Sequence, residues 1–223
     1  MRLLLESGAA IENRREDGDT PLIVAAAYGN TDAVKSLLEK GADVAARDKE
    51  GSTALVAAAC ESAMATMPGT YDAMKLLREK GADIESRAND GSTALIVAAG
   101  RSDRDNLELL LDHGARIEAR DKEGNTALLV AAKGSPYPGA DAVKLLLERG
   151  ANANARNRAG QTALMLAASG QGSESSDSIQ LLLSHGAKVD VRDGNGKTAR
   201  DVALPSGHRD LAKRIDNAAA EAQ

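Results

Sequence analysis

Short apolar runs alternate along the chain with polar stretches punctuated by glycine at fixed offsets. Gly-Ala pairs begin at 8, 41, 81, 114, 150 and 186, and ten residues after each comes Gly18, Gly51, Gly91, Gly124, Gly160 or Gly196. Two residues later stands Thr20, Thr53, Thr93, Thr126, Thr162 or Thr198. In the first five copies the threonine opens an apolar run, with Leu22, Leu55, Leu95, Leu128 and Leu164 two positions on. Alanine pairs follow at 25–26, 58–59, 98–99, 131–132 and 167–168. Each run predicts a short helix: threonine suits the N-cap, Pro21 the first turn, and alanine allows close helix approach.

A second helix is predicted to end at each Gly-Ala. Leucine stands four residues before the glycine, at 4, 37, 77, 110, 146 and 182. Asp32, Asp72, Asp105, Asp141 and Asp177 lie nine residues before it, in the predicted first turn, and Lys40, Lys80, His113, Arg149 and His185 immediately before it. Acid at the start and cation at the end complement the helix dipole, each worth about 0.3–1 kcal/mol.

The stretch from Gly18-Asp19-Thr20-Pro21-Leu22 to Lys40-Gly41-Ala42-Asp43 resembles the ankyrin repeat, and the likeness extends over essentially the whole chain. The resemblance implies an all-α solenoid of helix–turn–helix units joined by ten-residue, β-hairpin-like fingers. Its expected divisions are a partial repeat over 1–17, repeats over 18–50, 51–90, 91–123, 124–159 and 160–195, and a capping repeat over 196–223. The family's usual histidine after Thr-Pro-Leu is replaced by Ile23, Val56, Ile96, Leu129 and Met165, which predicts apolar packing between units. Arg78 stands where other copies carry Leu38, Leu111, Leu147 and Leu183, so the second repeat is expected to pack less well.

Successive threonines are 33, 40, 33, 36 and 36 residues apart, while the finger length is constant. Added residues therefore fall between the two helices of a unit, at about 61–71, 134–140 and 169–177. Two readings apply: a functional edge, or turns that accept length at little entropic cost. At the start, Leu3, Leu4 and Leu5 would belong to a second helix without its partner. This predicts either a piece of a longer protein or end-to-end self-association through that face. At the other end Arg200, Asp201, Lys213 and Arg214 replace apolar positions, as a cap requires.

Composition narrows the function classes. There is no Phe or Trp, three Tyr, and 43% apolar residues. The 28 basic and 33 acidic residues are scattered, arguing against a nucleic-acid or anionic-membrane footprint. No run approaches the roughly 18 apolar residues of a membrane span. One cysteine, Cys60, supports neither an intrachain disulfide nor a cysteine zinc site, and a reducing cytoplasmic setting is the default expectation. Cys60 and His113 would lie at opposite ends of antiparallel helices, roughly 15 Å apart, too far for a catalytic dyad. His113 and His185 read as helix-terminal cations rather than metal ligands. No enzyme, cofactor or metal chemistry is expected.

The expected activity is partner binding, with a structural spacer within a larger protein as the alternative. By resemblance the binding face is formed by finger tips and first helices. It would present Lys49, Glu50, Ser52, Cys60, Glu61, Asn89, Asp90, Ser92, Arg101, Lys122, Glu123, Asn125, Lys133, Arg158 and Gln161. Tyr28, Tyr71 and Tyr137 fall at or beside the helix–helix connections, as interface anchors or as lids over the apolar ends. Finally, arginine recurs at 14, 47, 87, 120, 156 and 192, with Glu12, Glu85, Glu118 and Asp190 two residues earlier. This column reads as a self-neutralised charge ladder, or as a row for an acidic partner.

Overall fold

The computed structural model describes residues 11–60, 69–134, 139–170 and 173–204, together with Ala212, Lys213 and Ile215. The expectations for Leu3 to Leu5, Glu61, Tyr137 and Arg214 lie outside the described residues. The chain divides into two compact units, one of Met1–Ala98 with Asp105–Arg116, the other of Ala99–Arg104 with Ile117–Gln223.

The first unit contains α1 (Pro21–Ala27), α2 (Thr31–Glu39), α3 (Ala54–Cys60) and α4 (Thr70–Glu79). Next come α5 (Ala94–Arg101), which runs into the second unit's 99–104 segment, and α6 (Arg104–Asp112), all but its first residue in the first unit. The second unit contains α7 (Ala127–Lys133), α8 (Ala140–Glu148), α9 (Ala163–Ser169), α10 (Ser173–Ser184) and α11 (Ala199–Ala203). Within the first unit α1 packs on α3 and α2 on α4; within the second, α7 packs on α9, α9 on α11 and α8 on α10.

The packing follows from the two residue columns. Leu22, Leu55, Leu95, Leu128 and Leu164 are buried, and Ile23, Val56, Ile96, Leu129 and Met165 beside them are no more than 3% exposed. Apolar contact thus occupies the position that the repeat resemblance would give to a polar histidine. On the second helices Leu37, Leu77, Leu110, Leu146 and Leu182 are fully buried. Truncating any one to alanine removes transfer free energy and opens a cavity, at about 2–5 kcal/mol.

Helix starts depend on their caps. The Oγ1 of Thr20, Thr126, Thr162 and Thr198 accepts the amide of the third residue on. Thr198 and Asp201 complete a reciprocal capping box. Thr93 differs, because its buried Oγ1 has no hydrogen-bond partner. At the helix ends, the Nδ1 of His113 and of His185 each lies 2.8 Å from the carbonyl oxygen four residues back. Both rings therefore engage C-terminal carbonyls.

Three expectations gain detail. First, the 169–177 segment is not simply a longer loop: α10 begins at Ser173, leaving Asp177 one turn inside the helix. Its Ser- and Glu-containing start continues in helical register with the apolar Ile179 and Leu182 behind it, so the added length becomes helix. Second, the fingers are hairpin-like without strands: among the described residues they carry one isolated antiparallel bridge, between Arg156 and Thr162. Each tip is a tight turn closed by two bonds, as in Gly51 N–H to Asp48 O and Asp48 N–H to Ser52 O. That pattern belongs to a type I turn followed by a left-handed glycine. Third, Arg78 is half-buried much as Leu38, Leu111 and Leu183 are, and its Nη1 donates to Ala82 O. Its buried Nε is left without a partner, so the cost lies in hydrogen bonding rather than in missing volume.

Candidate functional site: a groove between finger tips and first helices

The fingers are held to one another mainly through the backbone. Lys49 N–H donates to Asp17 O at 3.1 Å, Asn89 N–H to Glu50 O at 2.7 Å, and Arg158 N–H to Glu123 O at 2.8 Å. The arginine column reinforces these bonds. Arg47 Nη1 donates to Gly51 O of its own finger and to Arg87 O of the next, both at 2.6 Å. Arg120 does the same to Gly124 O and Arg156 O, both at 2.7 Å. Arg14 and Arg156 repeat the arrangement toward Arg47 O and Arg192 O.

The glutamates take the opposite polarity. Glu12, Glu85 and Glu118 accept the backbone amides of Asp43, Arg116 and Asn152, each at 2.8 Å. The expected arginine–glutamate ladder is therefore replaced by side chains that stitch one finger to the next through backbone groups. A guanidinium can serve two carbonyls at once, and an ionised carboxylate only accepts, which accounts for the division of labour.

Within the second unit, two of these fingers and the ends of α7 and α9 enclose a groove of about 720 Å³. Six of the anticipated residues line it together: Lys122, Glu123, Asn125, Lys133, Arg158 and Gln161. Val130 forms a half-exposed apolar strip, backed by buried Leu129 and Leu166.

A chain of hydrogen bonds fixes the amides there. Asp121 accepts Asn125 N–H at 2.7 Å and Asn125 Nδ2 at 2.9 Å. Asn157 Nδ2 donates to Asn125 Oδ1 at 3.0 Å and to Gln161 Oε1 at 3.1 Å. Asn157 was not anticipated. The available signal was an asparagine in a turn column that holds aspartate in three of the other copies (Asp48, Asp121 and Asp193), since the amide can donate as well as accept.

The first unit's candidates behave differently. Lys49 and Glu50 are exposed on a tip, and Cys60 is exposed at the end of α3. Ser52 is half-buried, with its amide on Asp48 Oδ1. Asn89 is occupied in tying fingers together, its Nδ2 donating to Lys49 O at 2.9 Å. Ser92 is 7% exposed, its hydroxyl donating to Asp90, so it does not present to solvent as expected. Tyr28 and Tyr71 are 55% and 44% exposed. Neither ring therefore acts as a closed lid. Arg101 is half-buried at the end of α5.

The first unit's tips are also acidic. Burial is the leading reason that the Asp19 carboxyl is raised above its ordinary value, with Asp17 and Asp48 adding repulsion and Arg15 opposing it. Among the described residues no group of three or more His, Cys, Asp or Glu is placed to hold a metal ion. No helix there is long and apolar enough to cross a membrane.

The pattern described as Ankyrin repeats (3 copies) matches residues 1–88, 62–157 and 135–221. The chain belongs to the ankyrin-repeat family. Its all-α fold is similar to the crystal structure of the human ASB11 ankyrin repeat domain, with a TM-score of 0.81 and 28% identity. That similarity covers 96% of this chain and 90% of the other. No curated protein matches in a sequence comparison. Ankyrin repeats are in general protein–protein interaction modules, and the fold is known as a non-catalytic one.

Proposed function

We propose that this ankyrin-repeat protein is a non-catalytic adaptor that captures a protein partner on the face made by finger tips and first helices. One observation carries the reading: Lys122, Glu123, Asn125, Lys133, Arg158 and Gln161 converge on a single groove. Those positions come from two fingers and two helices, so only the stacked fold brings them together. Their identities differ from their counterparts in neighbouring repeats, while the finger glycines, the capping threonines and the leucines at 37, 77, 110, 146 and 182 are constant.

The alternative role, a spacer within a larger assembly, makes a different demand on the same residues. A spacer needs the stack but not the groove. Exchanging the charges of Lys122 and Glu123 separates the two, because both side chains are exposed and the net charge is unchanged. The adaptor reading expects the exchanged protein to lose a partner retained by the wild type in affinity capture, with its melting temperature unaltered. Identical captured sets from both proteins would favour the spacer.

A further inference from the structure

We infer that the groove of the second unit receives an acidic, extended peptide segment that lays an aliphatic side chain over Val130, and this rests on the adaptor reading above. The charges lining the groove are unbalanced. Lys122, Lys133 and Arg158 face a single carboxylate, Glu123, giving the lining a net charge of +2 in a chain whose formal charge is −5. Among the described residues the side chains of the three cations make no hydrogen bond or ion pair, so their charge is not consumed within the protein. Asp121, whose oxygens accept the Asn125 backbone amide and Nδ2, keeps its charge beside the groove and reduces the local excess to +1 without reversing it.

The amide chain points the same way. An ionised Asp121 can only accept, which turns Asn125 Nδ2 toward it and leaves Asn125 Oδ1 to accept from Asn157. Asn157 Nδ2 then serves Gln161 Oε1, while Asn157 Oδ1 accepts the Gln161 amide at 2.9 Å. Each step fixes the next, and the relay ends with Gln161 Nε2 as a donor that no described residue uses. The groove thus offers three cations, a free amide donor and an apolar strip. Carboxylates, backbone carbonyls and an aliphatic side chain complement that set.

The first unit argues the contrast. Its corresponding tip positions hold Glu16, Asp17, Lys49, Glu50, Asn89 and Asp90, four carboxylates against one lysine. Burial first, and after it the negative charge of Asp17 and Asp48, raises the pKa of Asp19 beside them. An acidic segment is therefore attracted by one unit and repelled by the tips of the other, which gives selectivity within a single chain.

The test is fluorescence anisotropy on the full chain with a labelled synthetic decapeptide of glutamates around a central leucine. A lysine-for-glutamate version and a single-stranded oligouridine of similar length serve as competing probes. The expected result is saturable binding of the acidic peptide alone, weakened several-fold when salt is raised well above physiological ionic strength. Combining Lys133→Glu with Arg158→Glu weakens it by about tenfold or more. Lys35→Glu, on the exposed side of α2 in the other unit, leaves it unchanged.

Both reversed side chains are exposed and, among the described residues, unpartnered, and an unaltered circular dichroism melt checks that the fold survives. Lys133→Gln, which only removes charge, gives a smaller loss in the same direction. Replacing the probe's leucine by alanine weakens binding several-fold, as the apolar strip requires. Absence of saturable binding up to about 1 mM peptide overturns the inference, as does equal binding of the basic peptide or tighter binding of the oligonucleotide. If the peptide fails while the Lys122–Glu123 exchange still abolishes partner capture, the adaptor reading stands and the acidic segment falls.

Discussion

Two glycines with the same backbone torsion should respond very differently to alanine. Gly18, on a finger tip, has φ of +89°, and Gly41, closing α2, has φ of +87°. An added Cβ at Gly41 would meet nothing within 4 Å, so Gly41→Ala is charged only for the left-handed backbone, about 1–2 kcal/mol. At Gly18 the same Cβ would lie 2.8 Å from Lys49 N. That nitrogen donates to Asp17 O across the finger interface. Gly18→Ala must push the neighbouring tip away, adding about 1–3 kcal/mol of overpacking and losing a bond worth about 1 kcal/mol. The expected total is about 3–6 kcal/mol at Gly18, against about 1–2 at Gly41. Urea titration monitored by circular dichroism measures the difference, and hydrogen exchange at Lys49 locates it. Equal losses for the two variants, or unchanged protection of the Lys49 amide in Gly18→Ala, would refute the close-approach argument.

Other substitutions test single contacts. Thr20→Val removes a cap on Ile23 N–H and should cost about 1 kcal/mol, whereas Thr93→Val removes a buried hydroxyl with no partner and should be neutral or stabilising. Urea midpoints of the two variants give the comparison. Arg78→Leu restores the residue of the other copies and discards an unpartnered buried Nε, for an expected gain of about 1 kcal/mol after the bond to Ala82 O is lost. Asp19 titrates above its ordinary value of 3.8 because burial and neighbouring acids disfavour its charge, so its ionised form opposes folding at neutral pH. Asp19→Asn should therefore raise the melting temperature at pH 7, with the advantage vanishing as the pH falls through the raised Asp19 pKa toward 3.8. Asp201 has the opposite sign: hydrogen bonds from the Thr198 backbone and hydroxyl lower its pKa, so its contribution is present at neutral pH and lost in acid.

The stack was legible because its signals are local. Gly41 at a helix end, Thr20 at a helix start and Leu37 on the buried stripe each act through geometry that a few neighbouring residues determine. The second-unit groove was half legible for the same reason: once helix and finger positions are known, Lys122, Lys133 and Arg158 must share a face. What escaped depends on the direction in which a side chain turns. The spacing of Glu85 and Arg87 cannot say whether the two meet each other or reach the next finger, and the structure sends Glu85 to Arg116 N–H and Arg87 to Gly91 O. Ser92 was expected at the surface because its column varies, yet a bond to Asp90 folds it inward. Glycine and serine in the third added segment suggest loop, but the helix that carries Ile179 and Leu182 extends back through it to Ser173.

The finger stitching has an evolutionary corollary. Arg47 and Glu12 are recognised by a backbone carbonyl and a backbone amide, groups that every residue but proline supplies, so a module needs no matching side chain in the one beside it. Copies can be duplicated, exchanged or deleted without renegotiating their junctions. Change can then accumulate in the outward-facing letters while the seams stay generic, leaving recognition free to diverge on a scaffold indifferent to it.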